Sequence, residues 1–320
     1  RRVLFRSRTD GRNKPAGMLP AQMLFLVLHL VGNAAFTLLV RFARSARFDY
    51  ATVGTMNYAT GALIGGAILF TADGPVAWTW APAAIVGGAV NGAQYQLTFL
   101  LMHALIGLGG IAVATSVLRL AIAVPVIASL FIWNEPVTAL QISGLTMATI
   151  ALPLLSGVNP NALLTGTVVN APSRGRVALI VVVTLLVTGA GLLAAKVFAE
   201  IGRPAERPLY VASAYVTATI FSLATWKWQP RGEGRYSWSG RVRSLALGAV
   251  TGMVNLGQLS AFLPALATVP GVVAFPLASA GGLLCTTLGG WFFFRERLTL
   301  RHGTGLGLAL AAATLMNIRY

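Results

Sequence analysis

Arg119 stands near the middle of an apolar run that continues from Leu108 to Trp133. A guanidinium at the centre of a bilayer costs at least ~2.5–3.5 kcal/mol on insertion scales, so it needs a partner or water. Its planar fork of donors suits a carboxylate or phosphate, and the chemistry to expect is capture of an acidic group on a solute. The competing reading is a structural tie to backbone carbonyls or neighbouring hydroxyls. The acidic residues, Asp10, Asp49, Asp73, Glu135, Glu200, Glu206, Glu233 and Glu296, are all read as lying outside the apolar runs.

A second group of residues is polar but uncharged. Asn91, Gln94, Tyr95 and Thr98 recur at spacings of three and four, which places them on one face of a helix. Asn255 and Gln258 repeat that spacing in a later apolar run, His29 and Asn33 share a face at i,i+4, and Asn57 and Tyr58 add a fourth pair. The candidate binding set is therefore Arg119, Asn91, Gln94, Tyr95, His29, Asn33, Asn57, Tyr58, Asn255 and Gln258. Amides at membrane depth line polar cavities or bridge helices, the latter for only ~0.6 kcal/mol on average. His29 either titrates with proton movement or packs as a neutral ring. Asn57 and Tyr58 equally suit an interfacial belt. This chemistry is binding rather than catalysis. His29, His103 and His302 fall in separate segments, no Asp-rich motif accompanies them, and the single Cys285 permits no disulfide framework. No metal or cofactor is expected, and no enzyme activity.

The elements that must position these residues are helices in a membrane. The chain is 56% hydrophobic and only 10% charged, whereas soluble domains carry about 25% charged residues. Its net charge of +16 lies in the gaps between apolar runs, which suits anchoring to lipid headgroups rather than nucleic acid. A spanning helix needs about 20 apolar residues. On that length the sequence predicts ten spans: 19–40, 50–71, 82–104, 108–133, 137–156, 177–198, 208–226, 243–264, 268–293 and 301–318. Arg1–Ser7 matches the peptide encoded by a common sequencing adapter and is set aside with the polar tail 1–17.

The chain also repeats itself. Phe131-Ile-Trp-Asn-Glu135, with Thr138, Gly144, Leu145 and Ala148, returns 161 positions later (296 minus 135) as Phe292-Phe-Phe-Arg-Glu296 with Thr299, Gly305, Leu306 and Ala309. Residues 18–156 form the first five-helix repeat, 157–176 the linker and 177–320 the second. Glycines at four-residue spacing (Gly61 and Gly65, Gly88 and Gly92, Gly248 and Gly252, Gly303 and Gly307) are expected where helix backbones approach closely. Pro125 and Pro276 interrupt helices four and nine, where they free a carbonyl and permit a kink. Glu135 and Glu296, with Thr138 and Thr299, are expected to cap helices five and ten, and Lys196 to snorkel.

The pattern Phe-x-x-x-Glu-x-x-Thr followed by Gly-Leu, in both halves, resembles the drug/metabolite transporter superfamily, specifically its EamA-like ten-helix permeases. The run Ser116-Val-Leu-Arg-Leu-Ala-Ile-Ala-Val-Pro125 is similar to that family's fourth helix. The resemblance implies an all-α polytopic protein of two inverted five-helix repeats. It also implies a substrate route near the pseudo-symmetry axis and a place in the bacterial cytoplasmic membrane. The function expected is that of a secondary transporter for a neutral, zwitterionic or anionic metabolite. An accessory membrane subunit and a membrane-embedded lipid-modifying enzyme are the competing classes. Four-helix multidrug relatives use an acid in helix one, and none is present here, so cation–proton exchange by that route is not expected. The family implies cytoplasmic termini. The excess of Arg and Lys lies opposite them, at Arg41, Arg44, Arg47, Arg174, Arg176, Lys227, Arg231, Arg235, Arg241, Arg243, Arg295, Arg297 and Arg301. That argues for the reverse orientation, so the two readings stand against each other.

Overall fold

The computed structural model describes residues 20–71, 81–135, 137–156, 174–229, 237–294 and 300–317. The tail 1–17, Glu296 and Thr299 lie outside the described residues, as do positions 157–173 of the expected linker. Among the described residues all regular structure is helical. In chain order the helices are α1 (Pro20–Ser45), α2 (Tyr50–Thr71), α3 (Pro82–Leu120), α4 (Ala123–Ile132) and α5 (Ala139–Ser156). The rest are α6 (Arg174–Ile201), α7 (Arg207–Ala224), α8 (Trp238–Leu266), α9 (Gly271–Phe294) and α10 (Leu300–Asn317). Five are long and apolar enough to cross a membrane, in α1, α2, α6, α8 and α9, and shorter apolar helices stand beside them. Large apolar side chains such as Leu63, Phe131, Phe292 and Phe293 point outward. A bilayer tolerates that arrangement, whereas water would drive such a surface to associate.

The expected span 108–133 differs from what is observed. Every residue from Pro82 to Leu120 is assigned helical hydrogen bonding, and a turn at Ala121–Ile122 precedes α4. The packing nevertheless shows two arms. From Gly87 to Leu105, α3 runs antiparallel to α6: Gly87 faces Ala194, Asn91 bonds Gly191, Thr98 meets Thr188, and Met102 and Leu105 pack near Ile180, Val181 and Leu185. Val117 then returns to the cluster of Leu105, Val124 abuts Gly189, and Glu135 reaches Lys196. The chain thus reverses direction between Leu105 and Val117.

The helices pair in a mirrored pattern. α1 packs on α8 as α6 packs on α3, and α2 packs on α8 as α7 packs on α3. α2 with α7, and α5 with α10, pair across the halves. Glycines make these approaches possible. A side chain at Gly88 or Gly92 would strike the backbone of Tyr210 or Ala214 in α7, and one at Gly248 or Gly252 the backbone of Val53 or Asn57 in α2. Gly61 lies under the ring of Tyr215. Gly303 and Gly307 depart from the expectation, for both face open space.

Two local assignments also change. α5 is capped reciprocally by Thr138 and Gln141: the Gln141 amide donates to Thr138 Oγ1 at 3.2 Å, and the Thr138 amide to Gln141 Oε1 at 3.1 Å. With that end satisfied, Glu135 does not cap α5. Its carboxylate instead accepts from the amides of Gly271 and Val272, both at 3.0 Å, at the start of α9, where the helix dipole favours negative charge. Lys196 does not snorkel. It is 1% exposed and ion-paired to Glu135 at 2.7 Å and Glu200 at 2.6 Å. Glu200 in turn closes the last turn of α6, inside an apolar helix where no acid was expected.

Candidate functional site

A cavity of about 270 Å3 lies among α1, α2, α3 and α8. Asn33, Asn57, Tyr58, Gln94, Tyr95, Asn255 and Gln258 from the expected set all line it, together with Phe36, Val40, Phe99, Met102 and Leu118. Helix periodicity explains the convergence. Gln94 and Thr98 in α3, and Thr251, Asn255 and Gln258 in α8, recur at three- and four-residue spacing, so one face of each helix turns inward.

The amides form an ordered ladder. Gln258 Nε2 donates to Asn255 Oδ1 at 2.7 Å, and Asn255 Nδ2 donates to Asn57 Oδ1 at 3.2 Å. Only Asn255 uses both a donor and an acceptor in this chain, which leaves Gln258 Oε1 and Asn57 Nδ2 for another partner. On the facing wall Gln94 Nε2 donates to Thr98 Oγ1 at 2.8 Å, and that hydroxyl meets Thr188 Oγ1 at 3.1 Å. The rings of Tyr58 and Tyr95 stand nearly parallel, 5° between planes and 6.4 Å between centres, with Tyr215 tilted behind. The described lining therefore offers amides and hydroxyls against flat aromatic and aliphatic walls.

Two expected members stand beside the cavity without lining it. Asn91 is buried and donates Nδ2 to the Gly191 carbonyl at 2.9 Å. The His29 ring stacks on Phe262 at 4.2 Å, and its Nδ1 donates to the Gln258 carbonyl at 3.0 Å. Both hold helices of opposite halves together: α3 to α6, and α1 to α8. Gly191 and Gly32 admit this closeness, each lying against a glutamine, Gln94 and Gln258 respectively. Arg119 follows the cavity-lining Leu118, and its side chain lies outside the described residues. Asn57 and Tyr58 sit in the interior rather than in an interfacial belt.

The reading of the residues missed Phe36, Phe99 and Met102, because apolar lining carries no signal within an apolar helix. It also missed Thr251, although that residue lies four positions before Asn255 on the same face.

No family model and no curated protein matches the chain. Solved structures do match. One, described only as "Crystal structure of protein", superposes with a TM-score of 0.65 at 15% identity, over 92% of this chain and 96% of its own. At that identity the likeness concerns the fold alone.

Proposed function

We propose that the protein is a secondary transporter that carries a small metabolite across a membrane by alternating access. In this reading residues 18–156 and 177–320 are two inverted five-helix repeats of the drug/metabolite transporter type. Ten spans follow once the two arms of α3–α4 are counted separately. The observation that carries the reading is the cavity in mid-bundle, built from polar side chains of both halves, with Asn57 bonded to Asn255 across the boundary between them. Transporters with inverted repeats place their substrate at that boundary and move one repeat against the other around it. The mirrored helix pairing between the halves supports such a plan.

The cavity's size suits a solute of amino-acid or sugar dimensions, below the 300–1,000 Å3 typical of drug-sized ligands. Amides with unspent donors and acceptors suit a neutral or zwitterionic polar group, and the tyrosines suit an apolar or flat body. Arg119 is the residue for an acidic group. The setting proposed is the bacterial cytoplasmic membrane, with the lipid bilayer and the solute as partners. A thermal-shift screen of the purified protein against amino acids, sugars, nucleosides and cationic drugs tests this, since a ligand that binds the folded state raises its melting temperature. Stabilisation by one solute class, lost in Gln258→Ala, supports the proposal. No stabilisation by any class favours an accessory subunit.

A further inference from the structure

The two ends of the bundle differ. Along α3, Gly87 is level with Ala194 near the end of α6, whereas Phe99 and His103 are level with Tyr50 at the start of α2. Those positions are separated by roughly 20 Å at 1.5 Å per residue. The cavity runs from the mid-bundle amides toward the Tyr50 end, where Ala43, Tyr50 and Met102 line it. The Lys196 end is packed shut. There Phe262, Leu266, Val269, Val273 and Phe275 are each no more than 5% exposed, and they form one cluster with Phe198 and Tyr210.

At this shut end lies the buried charge cluster. Glu135, just past α4, grips the first two amides of α9 and the ammonium of Lys196 in α6, which also holds Glu200. Three elements are joined through one carboxylate, and the Trp133 ring lies 5.7 Å from the ammonium. The 161-residue sequence register does not repeat Lys196 or Glu200. In the 161-residue register (135 + 161, 196 − 161, 200 − 161), Glu135 corresponds to Glu296, but Lys196 corresponds to Ala35 and Glu200 to Leu39.

We propose that Glu135, Lys196 and Glu200 form an ionic latch that holds the Lys196 end closed, and that this end opens only when Lys196 leaves Glu135. The inference rests on the alternating-access reading above. Two halves that rock must separate α4 from α6 and from the α9 N-terminus at one end. Parting a buried ion pair is costly unless water reaches both charges, and entry of water is what opening brings. The latch therefore favours the state in which the cavity faces the Tyr50 end. In the 161-residue register Ala35 stands where Lys196 does, so this particular pair acts at one end of the bundle. Glu135 and Lys196 are thus positioning residues that set the population of states rather than solute ligands.

The test uses the full chain in lipid vesicles, with Cys285→Ala as background and one reporter cysteine at a time. Val269→Cys reports the shut end and Met102→Cys the cavity end, through labelling by a membrane-impermeant maleimide supplied to the face concerned. The expected result is that Lys196→Met raises labelling at the Val269→Cys reporter about tenfold, within the 5–150-fold range of ordinary coupling, and lowers it at the Met102→Cys reporter. Glu135→Gln keeps an acceptor for the α9 amides and gives the same reciprocal change if Lys196→Met fails to fold. Unchanged rates overturn the latch. A rise at both reporters also overturns it, because that is simple loosening. Efflux of a mixed pool of amino acids, sugars and nucleosides from the same vesicles reads the transport proposal separately. Efflux without reciprocal labelling sinks the latch alone, and absence of efflux sinks the reading beneath it.

Discussion

Asn255 in the second half donates its Nδ2 hydrogen to Asn57 Oδ1 in the first, at 3.2 Å, with both side chains buried. This one bond crosses the boundary between the halves at the wall of the cavity. It also connects Gln258 to α2 through a continuous run of amides. A polar bridge at that place is a poor source of stability and a good means of orienting the free groups of Gln258 and Asn57.

It follows that Asn255→Leu separates function from fold. Interhelical hydrogen bonds in membranes are worth ~0.6 kcal/mol on average, so the unfolding free energy in detergent falls by no more than about 1 kcal/mol. Solute-dependent stabilisation should disappear. A large loss of stability with binding retained would reverse the roles assigned to the ladder.

The glycine contacts make a sharper prediction about stability. A Cβ at Gly92 would lie 2.0 Å from the Ala214 carbonyl oxygen, so Gly92→Ala forces α3 and α7 apart. Overpacking of this kind costs about 1–3 kcal/mol. Gly303→Ala, facing open space, removes the helix penalty of glycine and is expected to stabilise by ~0.8–1 kcal/mol at most. Unfolding midpoints of the two variants should therefore move in opposite directions.

Removing one partner of the buried pair gives a third prediction. Lys196→Met leaves Glu135 charged and buried, and the folded state is expected to lose about 3 kcal/mol or more. Glu135→Ala additionally uncaps α9, a further ~1 kcal/mol. The double variant Lys196→Met/Glu135→Met should be less destabilised than the sum of the single changes, because neither charge is then stranded. Strict additivity in a denaturation cycle would mean that the two side chains are not coupled.

Arg119→Ala separates classes of solute. If an acidic group is recognised by Arg119, the variant loses binding of an acid-bearing solute by about a hundredfold, the scale of a charged hydrogen bond of 1.5–3 kcal/mol. It keeps binding of a neutral one. Equal affinities of wild type and Arg119→Ala for an acid-bearing solute would give Arg119 a structural role.

Much of this architecture was legible because membrane helices advertise themselves by length. Tyr50–Thr71 matches the expected span, and most other boundaries fall within a few residues. The site was legible to the extent that it is polar: seven of the ten expected residues line the cavity, since an amide in an apolar run stands out and helix spacing says which ones share a face. What failed was long range. Glu135 was assigned to the nearest helix start, but Thr138 and Gln141 already satisfied it, and the free carboxylate went to an α9 start 136 positions away. Lys196 and Glu200, at i,i+4 in an apolar segment, were the available sign of a buried cluster. The reversal between Leu105 and Val117 falls at Gly107, Gly109 and Gly110, where the expected spans 82–104 and 108–133 already left a gap.

Passage of a solute across the membrane through the amide-lined cavity can be followed as efflux from sealed vesicles. Vesicles holding the purified full chain and a mixed pool of amino acids, sugars and nucleosides are followed by mass spectrometry, against protein-free vesicles and against Gln258→Ala. One solute class is expected to leave faster with the wild-type protein than from either control. Efflux equal in all three would contradict it.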